Sequence, residues 1–354
     1  MTTEEAMRMP AEFGPHERTV MCWPARDTLY GELMPQAEDA HAQVARAIAE
    51  HEPVSMIVRP GPSAARAAEL CGGMVEIVEI PIDDSWFRDS GPIYVTDGAS
   101  RLATDWTFTG WGTKYAPWDQ DDLVAARWAA HAGDPTKRIP MVLEGGSLTV
   151  DGEGTLITTT QCLMHPNRNP GLTKLDIEER LGAELGATTV IWLPYGLADD
   201  DDTDGHVDNV AVYARPGVVV MQGCDDPDEP DWLRMNVDIR WARGSRDAAG
   251  RVLEVAEIPV LPFVEIGGRR CPVPYGNFYV GNGFVLVPTA AHEADTDMLA
   301  IIAEQFPGRE VIGLDVGPVL AFGGGGIHCI TQQVPAAPTT RATSVGEGDA
   351  HVVR

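Results

Sequence analysis

Polar landmarks recur along this chain at a nearly constant interval, and that interval constrains the fold more than any single motif does. Each landmark follows a short apolar run or a glycine run: Asp89 after 74–80, Glu144 after 141–143, His206 after 188–193, and Cys329 after four consecutive glycines. The steps are 55 residues from Asp89 to Glu144, 62 from Glu144 to His206 and 123 from His206 to Cys329, the last close to twice the others. A module of about 60 residues repeated five times fits these steps, with one unmarked loop near Ile266-Gly267-Gly268. Closed radial repeats set equivalent loops around one axis, so residues far apart in sequence would meet there. An ordinary open parallel sheet would bring a different set together.

The runs between the landmarks read as a mixed α/β chain. Strands are expected at Val54–Val58, 74–80, 188–193, Val218–Gln222 and Phe284–Pro288, where β-branched residues cluster. Helices are expected at 35–50, at a segment capped by Asp119 and ending near Gly133, and at 173–185, 230–246 and 293–306. After Pro335 the composition turns to Pro, Ala, Thr, Gly and Ser without periodicity. The expected organisation is therefore one catalytic domain over 1–335 and a disordered tail over 336–354.

Charge removes several classes of function. With 26 basic against 53 acidic side chains the formal charge is -27, which repels phosphate backbones and anionic lipid surfaces. Neither a nucleic-acid partner nor a membrane is expected, whereas a small cationic partner suits such a field; a soluble acidic surface would look the same. The start MTTEEAMRMP is no secretory leader and no apolar run is long enough to span a bilayer, so the chain reads as cytoplasmic. Six cysteines lack CxxC spacing, which argues against a zinc ribbon and against a disulfide framework.

Four stretches carry chemistry. The run GGGGIHCIT (323–331) sets Cys329 on an expected strand at the mouth of a glycine turn, with His328 on the opposite face. A thiol with an ordinary pKa of about 8.5 is barely ionised at neutral pH, and a cationic neighbour or substrate would favour the thiolate. The loop IDDSWFRDSGP (82–92) carries Trp86 and Asp89, and LEGGS (143–147) holds Glu144 at a glycine turn. The fourth, LADDDDTDGHVDN (197–209), divides into an expected solvated approach, 199–202, a turn shaped by Asp204, and the pair His206 and Asp208 on one face of an expected strand. A calcium loop would need a bidentate Glu about twelve residues after its first ligand, and a zinc site further His or Cys at ligand spacing; neither is met, and no metal is expected. No GxSxG elbow of a serine hydrolase occurs.

Together WFRDSGP (86–92), LEGGS (143–147), CLMHPNRNPG (162–171), TDGHVDN (203–209) and GGGGIHCITQQVP (323–335) give a chain that resembles the agmatine deiminase family, related to bacterial-type peptidylarginine deiminases. The resemblance implies a five-bladed α/β propeller, pentein-like, of ββαβ modules around a central active site. It implies hydrolysis of agmatine to N-carbamoylputrescine and ammonia through an amidino-cysteine intermediate, a step of polyamine synthesis, with no cofactor. It assigns Cys329 as nucleophile, His206 as acid and base, Glu144 as the group that orients that histidine or shares the guanidinium, Asp89 and Asp208 as the guanidinium grip, and Trp86 as a wall for the aliphatic chain. Asp204 joins these as a substrate-side residue. Two positions depart from the family pattern: Gly326 and His165 each stand where Asn is expected. Deimination of another guanidine (arginine, peptidyl-arginine, a specialised metabolite) and a silent guanidine- or polyamine-binding propeller stay open, as does a homo-oligomer.

Overall fold

The computed structural model describes residues 7–336. Among them, strands pair into five sheets built on one plan and one separate hairpin. In each sheet an antiparallel pair is followed by a helix, and the next strand lies parallel to the second of the pair. One module runs Ile93–Thr96, Arg101–Thr107, helix Val124–Ala132, Thr136–Val142; the next Thr149–Val150, Thr155–Thr159, helix Lys174–Leu185, Thr189–Leu193. A third runs Ala211–Arg215, Val218–Gln222, helix Pro230–Gly244, Glu254–Ile258, and a fourth Tyr279–Gly281, Phe284–Pro288, helix Asp295–Gln305, Glu310–Leu314. The remaining module joins the chain ends. Thr331–Pro335 pairs antiparallel with His16–Cys22, and helix Met34–Ala49 leads to Val54–Val58 and, after helix Pro62–Cys71, to Val75–Glu79.

Inner strands such as Val54–Val58 and Val218–Gln222 are buried on both faces, which explains why they read as unbroken apolar runs. Val54, Met56 and Val58 pack with Ala37, Val44 and Ile48 of the adjoining helix, while Ile57 faces a separate cluster with Val20 and Val334. The same division appears at Val218–Gln222, where Val219 and Met221 enter one core and Val220 another. Alternation of side chains across a strand thus ties each module to its neighbours.

Helix ends follow local chemistry. Thr173 and Asp176 form a reciprocal capping box at the start of Lys174–Leu185, and Gly133 closes Val124–Ala132 in the left-handed region. Asp119 does not cap that helix. A 3-10 turn, Asp121–Leu123, intervenes because the buried Asp121 carboxylate accepts the Asp83 and Asp84 N–H groups and is held toward that loop. The expected strands match to within a residue at each end.

Ile266-Gly267-Gly268, where the interval predicted an unmarked loop, lies at the tip of the added hairpin Phe263–Ile266/Arg269–Pro272. Both glycines have positive φ, 57° and 76°, as a tight two-residue hairpin turn requires. This insertion displaces the marker of its module to Asn277, just ahead of Tyr279–Gly281. Asp89, Glu144, His206 with Asp208, Asn277 and Cys329 therefore each sit in the loop that leads into the first strand of a module. No described helix is long and apolar enough to cross a membrane. The tail expected over 336–354 lies outside the described residues but for Ala336.

Candidate active site

The five leading loops converge. Asp89 is buried in the short turn Phe87–Ser90. Its Oδ1 accepts the Gly146 N–H at 2.9 Å and its Oδ2 the Trp111 indole N–H at 2.8 Å. The Asp208 Oδ2 accepts a hydrogen bond from His328 Nδ1 at 2.8 Å and lies 3.4 Å from the Cys329 Sγ, while its Oδ1 has no partner. His206 stands between two acids, its Nδ1 3.7 Å from Asp89 and its Nε2 3.8 Å from Glu144 Oε2. Glu144 in turn accepts from Arg168 Nε at 2.7 Å through its other oxygen.

Gly146 permits this convergence. A Cβ there would lie 2.6 Å from His206 Nδ1 and 2.9 Å from both the Asp89 and Asp208 carboxylates, so only glycine lets the three groups meet. A narrow pocket opens beside them, walled by Trp86, Trp111 and Tyr115, with Asp84, Asp89, Asp202 and Cys329 also on its surface. It is the shape for a slender ligand with an apolar middle and polar ends.

The electrostatics favour a bound cation. Burial pushes the Cys329 thiol well above its ordinary range, and the Asp208 and Asp89 carboxylates push it further; the Gly326 N–H and Asn277 amide only partly oppose them. Burial also raises Asp89, with Asp208 and Glu144 adding to the rise. Burial disfavours a charged His206, yet attraction to Asp89, to Cys162 and to Glu144 outweighs it and holds the imidazole well above its ordinary value. Its ring nitrogens are too far from those carboxylates for direct hydrogen bonds, so the attraction acts through space. Asp208, although buried, stays below the usual carboxylate range because His328 and His206 stabilise its charge. At neutral pH the site therefore holds a thiol, an imidazolium and a surplus of negative charge.

Several expected placements shift. His206 and Asp208 flank and enter a 3-10 turn, Val207–Asn209, rather than a strand. Cys329 likewise lies in a turn before Thr331–Pro335, and this brings His328 against Asp208 instead of onto an opposite face. Asp204, expected on the substrate side, is not on the cavity wall; it adopts φ 62° and its carboxylate is held by Asn167 at 2.9 Å, Arg168 at 2.6 Å and Lys114 at 2.7 Å. The expected solvated stretch 199–202 is not uniform. Asp199 is exposed, but Asp200 is buried and ties Thr203, His206 N–H and Asn209 together, and Asp202 lies on the cavity wall with the Tyr115 hydroxyl bonded to it.

Asn277 is the site residue that motif reading missed. Its amide Nδ2 is 3.2 Å from Cys329 Sγ and 2.9 Å from Asn209, and its Oδ1 accepts the His328 N–H at 3.0 Å. A Cβ on Gly326 would lie 2.5 Å from that Oδ1, so the space beside Gly326 belongs to Asn277. The interval was the available signal, obscured by the inserted hairpin. Among the described residues, Glu144, Cys162 and His206 could each offer one metal-ligating atom, all within 4.8 Å of one another.

Residues 8–335 match the family described as Porphyromonas-type peptidyl-arginine deiminase. A Streptomyces coelicolor relative is 44% identical over 336 residues, covering 93% of this chain and 98% of its own. The agmatine deiminase of Pseudomonas aeruginosa strain UCBPP-PA14 is 41% identical over 361 residues, covering 94% and 96%. The solved agmatine deiminase of Enterococcus faecalis superposes with a TM-score of 0.90 at 33% identity, covering 94% of this chain and 96% of that one.

Proposed function

The chain belongs to the Porphyromonas-type peptidyl-arginine deiminase family, and on that premise we propose that it hydrolyses agmatine to N-carbamoylputrescine and ammonia. One observation carries the reading: two buried carboxylates, Asp89 and Asp208, flank Cys329, and after burial itself their charge is what most favours the protonated thiol. A planar guanidinium gripped by both acids cancels their charge at the sulfur. The thiolate then becomes accessible at the moment its target is in place.

The steps follow from these positions. As the guanidinium binds, Cys329 loses its proton to solvent, and its sulfur attacks the guanidinium carbon, forming a C–S bond while the C=N π pair moves onto nitrogen. His206, already an imidazolium, gives its proton to a departing nitrogen, and the C–N bond breaks to release ammonia. The neutral imidazole then takes a proton from water, whose oxygen attacks the amidino carbon. The C–S bond breaks and the ureido product leaves. Glu144, anchored by Arg168, stabilises the imidazolium, and Trp86 bounds the path of the aliphatic chain.

Substrate choice belongs to the same proposal. A butyl chain between Trp86, Trp111 and Tyr115 would carry its distal ammonium toward Asp84 and Asp202. Arginine would bring a carboxylate into that acidic surround. We further propose that the five sheets are blades of one closed propeller over 1–335, with the leading loops meeting at its axis, and that the enzyme works in the cytoplasm. Incubating the pure protein with agmatine, arginine and a peptidyl-arginine, and quantifying ammonia and ureido product, tests the reading. Ammonia from agmatine is expected; none from any of the three would sink it.

A further inference from the structure

Beside His206 a second buried thiol takes no part in the steps above. Cys162 is fully buried beside His206 and Glu144, its Sγ within 4.8 Å of the His206 and Glu144 ligand atoms. The Thr159 hydroxyl caps the turn that carries it. We propose that Glu144 Oε2, Cys162 Sγ and His206 Nε2 form a binding site for a single zinc-class divalent ion, and that a bound ion silences the enzyme by occupying the nitrogen that must carry the proton. The silencing half rests on the deiminase reading; the site itself does not.

Three features support the site. The donors are one nitrogen, one sulfur and one oxygen, the set that zinc prefers, with a fourth position left for water. Bonds of about 2.0–2.3 Å in a tetrahedron separate ligands by roughly 3.4–3.7 Å; His206 Nε2 stands 3.8 Å from Glu144 Oε2, and the three donors all lie within 4.8 Å of one another. Independently, Glu144 Oε2 and His206 Nε2 are buried without any hydrogen-bond partner, a costly state for polar atoms that a shared ion would relieve.

The supporting groups are arranged as a metal site needs. Glu144 is held through its other oxygen by Arg168 at 2.7 Å, which fixes one ligand, and Asp89 stands 3.7 Å from the far nitrogen of His206, where its charge favours a cation bound at the near one. Binding exchanges protons for metal: Cys162 gives up its thiol proton, and His206 any proton it carries, to solvent as the metal–sulfur and metal–nitrogen bonds form. A chain with a formal charge of -27 draws cations toward such a site.

The test begins with the Cys329→Ser protein, which lacks the reacting thiol and keeps the three ligands. Calorimetric titration with zinc should give one tight site per chain, and replacing zinc by cobalt should produce a thiolate-to-cobalt charge-transfer band. Adding Cys162→Ala should remove the band and weaken binding by at least about tenfold. In the protein with Cys329 intact, zinc should abolish agmatine turnover reversibly on chelation, and Cys162→Ala should raise the inhibitory concentration by a similar factor. Absence of the charge-transfer band, zinc affinity indifferent to Cys162→Ala, or full turnover at saturating zinc would overturn the proposal. The cobalt spectrum needs no change at Cys162, so a misfolded variant does not shelter the idea. Zinc ligation through Cys162 in a protein that turned over no guanidine would support the site and fault the deiminase reading alone.

Discussion

Asp208→Asn should make Cys329 more reactive toward a small alkylating agent and less able to process substrate, two effects of opposite sign from one change. Asp208 Oδ2 is 3.4 Å from the Cys329 sulfur. Two unit charges at that separation repel by roughly 5 kcal/mol at an effective dielectric constant of about 20, equivalent to roughly 3.5 pH units on the thiol. The His328 imidazolium bonded to the same carboxylate offsets part of this. If only a third survives, the thiol falls by about one unit and its alkylation at neutral pH rises about tenfold. Turnover moves the other way. Removing one partner of a buried ion pair costs about 3–5 kcal/mol, or roughly 10²–10⁴ in kcat/KM for the guanidinium. Iodoacetamide inactivation across a pH series gives the first quantity and ammonia release the second, with Cys329→Ser as the control for the other five buried cysteines. An alkylation midpoint that stays put or climbs in Asp208→Asn would refute the electrostatic account. So would undiminished turnover.

Cys329→Ser should abolish ammonia release while equilibrium dialysis still detects agmatine binding; measurable turnover would remove Cys329 as nucleophile. Asn277→Ala deletes the 3.2 Å amide contact to the sulfur, a hydrogen bond to a developing charge worth about 1.5–3 kcal/mol, so the alkylation midpoint should rise by about one unit with kcat falling more than KM changes. Asn277→Asp, which sets another carboxylate there, should raise it further, and equal behaviour of the two variants would count against a positioning role. Gly146→Ala drives a methyl into His206 and both carboxylates and should reduce kcat/KM by at least about 10², with a folded far-ultraviolet spectrum as the check that the loss is local. Exhaustive chelation should leave turnover undiminished or raise it, and a loss restored by a divalent ion would contradict the chemistry assigned to Cys329.

How much of this was legible depended on whether identity or position carried the information. The apolar runs exposed Val54–Val58, Val218–Gln222 and Phe284–Pro288 because each is buried on both faces, and the interval between leading loops exposed Asp89, Glu144, His206 and Cys329. Asn277 escaped because the hairpin 263–272 lengthened its module and left a common amide with no motif around it. The aspartates of 199–208 could not be sorted by type. What distinguishes them is backbone φ at Asp204, burial at Asp200 and a place on the cavity wall for Asp202, all set by distant residues such as Arg168, Asn209 and Tyr115. His328 was misplaced by assuming strand alternation through a segment that is a turn.

The charge pattern explains why the site demands a cation. Several buried acids near the site have a resident cationic partner: Glu144 has Arg168, Asp84 has Arg26 at 2.5 Å, and Asp208 has His328, itself bonded to Glu12. Asp89 has none at hydrogen-bonding distance, since its closest cationic neighbour, His206, is shared with Glu144 at distances beyond hydrogen bonding. Uncompensated buried charge destabilises a fold unless protonation or a ligand relieves it. In the free protein burial relieves Asp89 by raising its pKa and keeps Cys329 a thiol. A guanidinium replaces both adjustments at once, because it brings one positive charge and a planar fork of donors between two carboxylates. The stabilisation missing from the resting site is then supplied with the substrate, and the same binding event that completes the charge balance releases the nucleophile.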